Sequence, residues 1–478
     1  MGSLQLCSTP AVCALLAVAV SAAEPRESRM TPIGPLKVHP DNARWFADGT
    51  GRAVWLTGSH TWANRQERGV RGTTPDFDYA GYLDFLQRHG HNFIRLWVWE
   101  HAQWMQFVGA DVRVRYSPLP WARTGPGNAL DGKPKFDLTK LDEAYFARLR
   151  ERVAAARDRG LYVAVMLFQG FSLAKNRGDK AKGNAWHGHP FHRANNVNGI
   201  DGNPSGDDTG NEVHTLKVPA VTALQEAYVR RTIDTLNDLD NVLWEVGNEC
   251  HAGSAKWQYH VIRFIKAYEK AKAKQHLVGM TGAPVRNREM LRSPADWISP
   301  VGKPFLNDPP PADGKKVVVV DTDHIAPWDH SPAWPWKCLL RGHHFILMDG
   351  YRDFRLGSPK GPKPEWDVTR RSMGHAARLA ARVDLAAMTP QPDLASTRYC
   401  LACPGRAYLV YAPGGGKVTV DLSAARGDLA VEWLDTRTGK TQKAPAVRGG
   451  TPRKLPAPFQ GDAVLLIATP GQADACPP

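Results

Sequence analysis

The chain has 478 residues, of which 42% are hydrophobic and 9% aromatic. This length and composition suffice for two folded domains and exclude a disordered chain. Its 61 Lys and Arg residues against 47 Asp and Glu residues give a formal net charge of +14, which favours an anionic surface, polymer or substrate. Because the basic residues are dispersed and no nucleic-acid-binding motif accompanies them, we expect no nucleic-acid partner.

The chain begins with features of an export signal. Residues 11–23 read AVCALLAVAVSAA, an apolar run too short to cross a bilayer that ends in the small residues a signal peptidase requires. We therefore expect residues 1–23 to be a signal peptide and the protein to be secreted or periplasmic, although residues 1–10 lack the usual Lys or Arg. No later stretch is apolar enough to predict a transmembrane segment.

Short apolar runs alternate with amphipathic helical segments between residues 35 and 390. This alternation is typical of parallel strands covered by helices, and the number of units predicts an α/β fold, the (β/α)8 TIM barrel. The predicted strands are AVWLTGS (53–59), NFIRLWVWE (92–100), YVAVMLF (162–168), NVLWEVGNE (241–249), HLVGMTG (276–282), DWIS (296–299), KVVVVDTD (316–323) and FILMDGY (345–351). The predicted helices are 77–90, 138–160, 220–238, one within 253–275, and 367–388, with Thr139 and Asp142 spaced as a capping box in the second.

The pattern changes at TPQPD (389–393), where two prolines end the last helix. Residues 395–470 contain strand-like runs between glycine-rich turns and have no helical period, which predicts a small all-β sandwich domain. The runs are AYLVYA (407–412), KVTVDLS (417–423), DLAVEWLDT (428–436) and DAVLLIA (462–468). Cys403 and Cys476 lie near the two ends of this domain, which makes them candidates for a disulfide.

Active sites of TIM barrels lie at the carboxyl ends of the strands, where the loops converge. The candidate site residues there are polar or aromatic, and they are His60, Trp62, Arg95, Trp97, Trp99, Glu100, Gln169, Asn248, Glu249, Asp321, Asp323, His324 and, in the segment that follows, Trp336. Rings stack on the C–H faces of sugars while polar groups bind hydroxyls, so this set predicts a carbohydrate site. Each residue alone fits ordinary packing or a buried ion pair equally well.

Two of these residues suit glycoside cleavage, which needs one carboxylic acid to protonate the leaving oxygen and one carboxylate to stabilise the positive carbon. Glu249 suits the acid in a desolvated site beside a second carboxylate. Asp323 suits the second role, and we expect Arg95, His60 or Asn248 to hold it ionised. Neither role requires a metal ion or a cofactor, and we expect none.

The stretch WHGHPFH at 186–192 groups three histidines, His187, His189 and His192. Because it offers no carboxylate partner, the sequence favours a substrate loop over a zinc site.

Four motifs, GSHTW (58–62), HGHNFIRLWVWE (89–100), LWEVGNE (243–249) and DTDHI (321–325), resemble a bacterial group of clan A glycoside-hydrolase-like proteins. The group is related to apiosidase-like barrels, and the resemblance, from about residue 35 to 470, implies a C-terminal domain of the collagen-binding-like kind. It implies that Asn248 precedes the general acid/base Glu249. The clan's nucleophile is usually Glu, and here Asp323 or Asp321 stands at that place.

These observations predict a secreted glycoside hydrolase that acts on a poly- or oligosaccharide, with an acidic sugar favoured by the basic charge. In the clan the two carboxyls lie about 5–5.5 Å apart, which predicts retention, whereas a shorter Asp could widen the gap to about 6.5–9.5 Å and give inversion. A non-catalytic carbohydrate-binding or adhesion protein on an inherited barrel, and a polysaccharide lyase, stay open as alternatives. The sugar, the linkage and the oligomeric state stay open as well.

Overall fold

The structure is a computed structural model that describes residues 32–62, 64–70, 77–104, 114–174, 184–325, 329–349, 351 and 363–470. Eight parallel strands form a closed barrel and antiparallel sheets follow it, so the predicted fold class, a TIM barrel followed by a small all-β domain, is confirmed. The predicted signal peptide and Cys476 lie outside the described residues. No helix within the described ranges has the length and apolar character needed to cross a membrane.

The barrel strands are numbered 1 to 8 along the chain. They are Thr57–His60, Phe93–Leu96, Tyr162–Gln169, Val242–Asn248, Val278–Thr281, Trp297–Ser299, Val317–Asp321 and His344–Met348. Each strand pairs in parallel with the next, and strand 8 closes onto strand 1. The short run DWIS is confirmed as strand 6. Strand 7 ends at Asp321 rather than at Asp323, because Thr322–Ile325 turn into a short helix.

The longer helices cover the outside of the barrel. They are Tyr79–Arg88, Glu143–Arg157, Pro219–Leu236, Ala255–Glu269 and Asp367–Ala381, and the short ones are Phe171–Ala174, Asn287–Arg292, Thr322–Ile325 and Trp334–Leu340. Single 3-10 turns form at Ala185–Gly188, Arg193–Asn195, Asn211–His214, Ala252–Ser254, Pro364–Trp366, Leu385–Ala387 and Pro392–Leu394.

The predicted capping box at Thr139 and Asp142 is wrong. Asp142 is itself the N-cap of the helix Glu143–Arg157, and its Oδ1 accepts the backbone N–H of Ala144 at 3.0 Å. Thr139 belongs to the strand that precedes the helix, so its side chain is not available to the first helical turn.

Small antiparallel sheets surround the barrel. One contains Lys37–Val38, Phe46–Ala47 and Ala53–Val54; a second contains Glu67–Val70, Gln103–Trp104 and Val114–Ser117; a third pairs Trp121–Asn128 with Pro134–Leu141. The first sheet precedes strand 1, and its Phe46 and Val54 share a core cluster with Phe93 and Trp297 inside the barrel. The other two lie in the loops after strands 1 and 2, which run on the carboxyl-terminal side of the barrel.

The C-terminal region consists of two antiparallel sheets around a separate core. One sheet contains Thr389–Pro390, Cys400–Cys403, Ala407–Ala412, Ala463–Ala468, Asp428–Asp435 and Thr441–Arg448, and the other pairs Gly415–Val420 with Arg453–Gln460. Val418, Trp433 and Leu465 are buried between the sheets. On the opposite face, Leu409 and Leu466 belong to the barrel's own core cluster, so the large sheet packs directly against the barrel.

Candidate active site

One arginine joins several acidic and amide side chains inside the barrel, at the level where strands 2, 4 and 7 end. Arg95 donates from Nε to Oε2 of Glu245 at 2.9 Å, from Nη1 to Oδ2 of Asp321 at 2.5 Å and from Nη2 to Oδ1 of Asn248 at 3.0 Å. Thr281 completes the shell by donating to Oε1 of Glu245 at 2.9 Å. Buried charges need such pairing. These N–H groups of Arg95 donate to other side chains of the protein and are therefore not directed at a substrate. Arg95 is therefore a positioning residue, which corrects its predicted role in substrate binding.

Asp321 is an anchored carboxylate. Nε2 of His60 lies 3.1 Å from its Oδ1, and the backbone N–H of Asp323 donates to the same oxygen at 2.9 Å. Burial opposes ionisation of Asp321, but His60 and Arg95 outweigh it and hold its pKa well below the usual range. The ring of His60 stacks on Trp97 with 5.3 Å between centroids. Protein donors occupy both oxygens of Asp321, which gives it a supporting role instead of the predicted contact with substrate. The substrate contact of His60 stays a prediction.

Asn248 and Glu249 follow one another where strand 4 ends. Oδ1 of Asn248 accepts hydrogen bonds from Arg95 and from Nε2 of His324, the latter at 2.9 Å, while its Nδ2 has no hydrogen-bond partner among the described residues. Glu249 has a φ of 48°, in the left-handed region that disfavours side chains other than glycine. Such strain persists where surrounding contacts impose it, and it concentrates at functional sites.

Glu249, Asp323 and His324 converge at the mouth of the barrel. A carboxylate oxygen from each acid and a ring nitrogen of His324 all lie within 4.8 Å of one another, a spacing that also suits a metal ion. Burial first, and then the charges of Asp321 and Glu249, raise the pKa of Asp323 to about 7. The two carboxyls at the mouth thus retain a proton up to neutral pH.

The expectation about what holds Asp323 ionised is wrong. Arg95 and His60 bind Asp321, and Oδ1 of Asn248 is occupied by Arg95 and His324. The short helix carries Asp323 past the end of strand 7 to a place beside Glu249. The charges of His60 and Arg95 still lower the pKa of Asp323, but burial and the charges of Asp321 and Glu249 outweigh them.

The predicted tryptophans form a buried layer beside His60, with one exception. The ring centroid of Trp62 lies 5.8 Å from that of Trp97 and 6.0 Å from that of Trp99, whose Nε1 donates to the Trp62 carbonyl at 2.9 Å. Trp336 lies elsewhere, fully buried, with its Nε1 donating to Oγ of Ser372 at 2.8 Å between two helices. This placement contradicts its predicted contact with substrate.

A second buried cluster, centred on Glu100, lies beside the first, and its contacts with two histidines were not predicted. Oε1 of Glu100 accepts the backbone N–H of Gln169 at 2.6 Å and lies 2.9 Å from Nε2 of His214, and Oε2 lies 3.4 Å from Nε2 of His189. Burial opposes the charge, but His214 and His189 lower the pKa of Glu100 to about 2. Burial likewise opposes the charge on His214, but Cys250 and Glu100 raise its pKa to about 10.

This cluster fixes the backbone of Gln169, a predicted site residue at the end of strand 3. The Cα of Gln169 pairs in register with that of Asn248 on strand 4. Like Nδ2 of Asn248, Nε2 of Gln169 has no hydrogen-bond partner within the described ranges. Two buried amide donors at neighbouring strand ends therefore have the capacity to bind a ligand.

A known protein family matches part of the chain. The family described as "Domain of unknown function (DUF6298)" matches residues 99–291, which contain strands 3 to 5 and Glu249. No curated protein matches.

Two solved structures resemble the chain over nearly its full length. A protein described as "Glycoside hydrolase" is 14% identical, with 91% of this chain and 97% of that one covered and a TM-score of 0.56. A glycoside hydrolase family 5 protein from Bacteroides vulgatus ATCC 8482 is 13% identical, with 92% and 95% covered and a TM-score of 0.60. The chain therefore shares the overall fold of these glycoside hydrolases.

Proposed function

We propose that this protein is a glycoside hydrolase whose catalytic pair is Glu249 and Asp323. The observation that carries the proposal is the approach of their carboxylate oxygens to within 4.8 Å at the carboxyl end of the barrel, with the pKa of Asp323 raised to about 7. Glycoside cleavage needs one protonated and one ionised carboxyl at the scissile bond, and a pair that shares a single proton supplies both. The shared fold with glycoside hydrolases supports the same reaction.

Within the pair, Glu249 is the general acid/base and Asp323 the nucleophile, as the resemblance to clan A implies. Asp321 is poorly suited to attack a sugar, because Arg95, His60 and the backbone of Asp323 occupy its oxygens. The reactive form carries the shared proton on Glu249 and leaves Asp323 ionised.

The spacing of the carboxyls favours a retaining mechanism. Inverting enzymes hold their two carboxyls about 6.5–9.5 Å apart to admit a water molecule, whereas retaining enzymes hold them about 5–5.5 Å apart. A separation within 4.8 Å between carboxylate oxygens fits the second class. Asp323 then attacks the anomeric carbon as Glu249 protonates the leaving oxygen, and Glu249 next removes a proton from the water that hydrolyses the glycosyl-enzyme.

Asn248 and Gln169 bind the sugar through their unpaired amide groups. Nδ2 of Asn248 donates to the hydroxyl next to the anomeric carbon, a hydrogen bond that strengthens in the transition state. His324 and Arg95 hold Asn248 in the required orientation by occupying its Oδ1.

The substrate we propose is a poly- or oligosaccharide outside the cytoplasm, reached after removal of residues 1–23. The net charge of +14 supports an acidic carbohydrate. An apiosidase-like activity and a collagen-binding role for the C-terminal region stay predictions. The contacts of that region with the barrel favour a structural role, since Arg382 pairs with Glu432 at 2.7 Å and Nδ1 of His375 lies 3.0 Å from the carbonyl of Thr436.

Chemical rescue tests the two roles after a panel of aryl glycosides and glycans has identified a substrate. Glu249→Ala with azide should yield a glycosyl azide of retained configuration, because azide then attacks the glycosyl-enzyme. Asp323→Ala with azide should yield the inverted configuration, because azide replaces the nucleophile. Glu226→Ala, which removes a surface carboxylate paired with His260, should behave as wild type. Exchanged configurations would reverse the roles, and products with an unsaturated ring would indicate a lyase.

A further inference from the structure

Three metal-ligating side chains meet on the loops between barrel strands 3 and 4. Ligand atoms of His187, His192 and Asp208 lie within 4.8 Å of one another, and Nε2 of His187 is 2.9 Å and 3.0 Å from the two carboxylate oxygens of Asp208. The side chains of His187 and Asp208 are 47% and 55% exposed, so a cation can reach them from solvent. We propose that these three residues bind a zinc-class divalent transition metal ion, with water completing its coordination.

The carboxylate that WHGHPFH lacks in sequence comes from a different loop and is held in place. Asn184 donates from Nδ2 to the carbonyl oxygen of Asp208 at 2.6 Å and to its Oδ2 at 2.9 Å. Asp208 has a φ of 61°, a left-handed conformation that turns its side chain towards His187. Hydrogen bonds of this kind orient the carboxylate ligand of a metal in known sites.

The histidine loop is fixed as well. Nδ2 of Asn195 donates to the carbonyls of His187 and His189 at 2.9 Å each, and the buried ring of Trp186 lies 5.4 Å from that of His192. The Asp208 loop packs against the same tryptophan, since a Cβ on Gly210 would lie 2.2 Å from its ring. Both loops are therefore positioned on one core residue, which reduces the entropy that metal binding must overcome.

Binding has a cost that limits the affinity. Nδ1 of His192 accepts the backbone N–H of Ala194 at 3.1 Å, so its neutral ring carries the proton on Nε2. A metal ion must displace either that proton or that hydrogen bond, and it must also displace the proton that His187 shares with Asp208. We expect micromolar affinity for Zn²⁺.

The ion would stabilise the surroundings of the Glu100 cluster. His189 lies between the two histidine ligands in the sequence, and His214 follows the Asp208 loop. His189 and His214 both contact Glu100. A metal that joins the loops thus restrains both histidines. It serves a structural role and does not depend on the proposed hydrolase activity.

Isothermal titration of the untagged full chain with Zn²⁺, and absorption spectra with Co²⁺, test this proposal. Wild type should bind one Zn²⁺ in these loops and gain thermal stability from it. His187→Gln and Asp208→Asn should each weaken binding at least tenfold and lose that gain. His260→Gln is the matched control, since it removes a partly exposed histidine that pairs with Glu226 at 2.8 Å on another surface, and it should bind as wild type does.

A second control separates this site from the carboxyls at the barrel mouth, where Glu249, Asp323 and His324 have a similar spacing. Asp323→Asn should retain the zinc site. Loss of binding in Asp323→Asn with full binding in His187→Gln would overturn the proposal, as would a wild-type protein that binds no Zn²⁺. Circular dichroism of the metal-free variants verifies that each one is folded.

Discussion

Arg95 on barrel strand 2 reaches across the barrel interior to Asp321 at the end of strand 7, with 2.5 Å between Nη1 and Oδ2. The same guanidinium holds Glu245 and Asn248 on strand 4. One side chain therefore fixes the strand ends that precede Glu249 and Asp323, and the distance between the two carboxyls depends on it.

Arg95→Met should destabilise the protein strongly, because it leaves Glu245 and Asp321 buried without their cation. Removing one partner of a buried pair costs about 3–5 kcal/mol of unfolding free energy. Urea denaturation measures this loss. The control is Arg150→Ala, which breaks a surface pair with Asp238 at 2.7 Å and should cost less than about 1 kcal/mol. Equal losses in the two variants would contradict an anchoring role for Arg95.

Asp323→Asn should change how stability depends on pH. The pKa of Asp323 is about 7 in the folded protein, above its ordinary 3.8, so the folded state binds this proton more tightly than the unfolded state. Its stabilising contribution is full below the unfolded pKa and is lost as the pH rises through about 7. Asparagine cannot ionise, so between about pH 4 and pH 8 the variant should gain on the order of 4 kcal/mol relative to wild type. Urea denaturation at both pH values measures the change, and a constant difference would refute the assigned pKa.

Asn248→Ala should lower kcat about 100-fold, equivalent to about 2.7 kcal/mol, because its amide donates to substrate mainly in the transition state. KM should change much less. Steady-state kinetics on the identified substrate measures both constants. Asn287→Ala is the control, since Nδ2 of Asn287, at the start of the short helix Asn287–Arg292, donates to the carbonyl of Val301 at 2.9 Å. This variant should affect stability without affecting kcat. A higher KM with normal kcat in Asn248→Ala would assign that residue to ground-state binding.

The barrel was predictable because its strands and helices have clear hydrophobic periods, and even the three-residue strand Trp297–Ser299 follows from the apolar residues of DWIS. The all-β region was only partly predictable. Its strands Ala407–Ala412 and Ala463–Ala468 are buried throughout and apolar, whereas Thr441–Arg448 is largely exposed and polar, so its sequence contains little hydrophobic signal.

The site was less predictable because its contacts join distant parts of the chain. Glu100 meets His189 and His214, which are 89 and 114 residues away, and no local spacing connects them. Glu245 could have been found, since a glutamate inside a buried strand needs a cation and Arg95 is the arginine that the predicted barrel strands contain. The different environments of Asp321 and Asp323 follow from a helix that begins at Thr322, and strand alternation does not predict that change.

The central claim, that Asp323 attacks the sugar at a site completed by Glu249, is tested most directly by labelling. The protein is incubated with an activated 2-deoxy-2-fluoro analogue of the sugar it hydrolyses, and the adduct is located by intact mass and peptide mapping. One glycosyl group on Asp323, absent in Asp323→Asn, is the predicted result. A label on Asp321 or another carboxylate, or no hydrolysis of any glycoside by wild type, would contradict the claim.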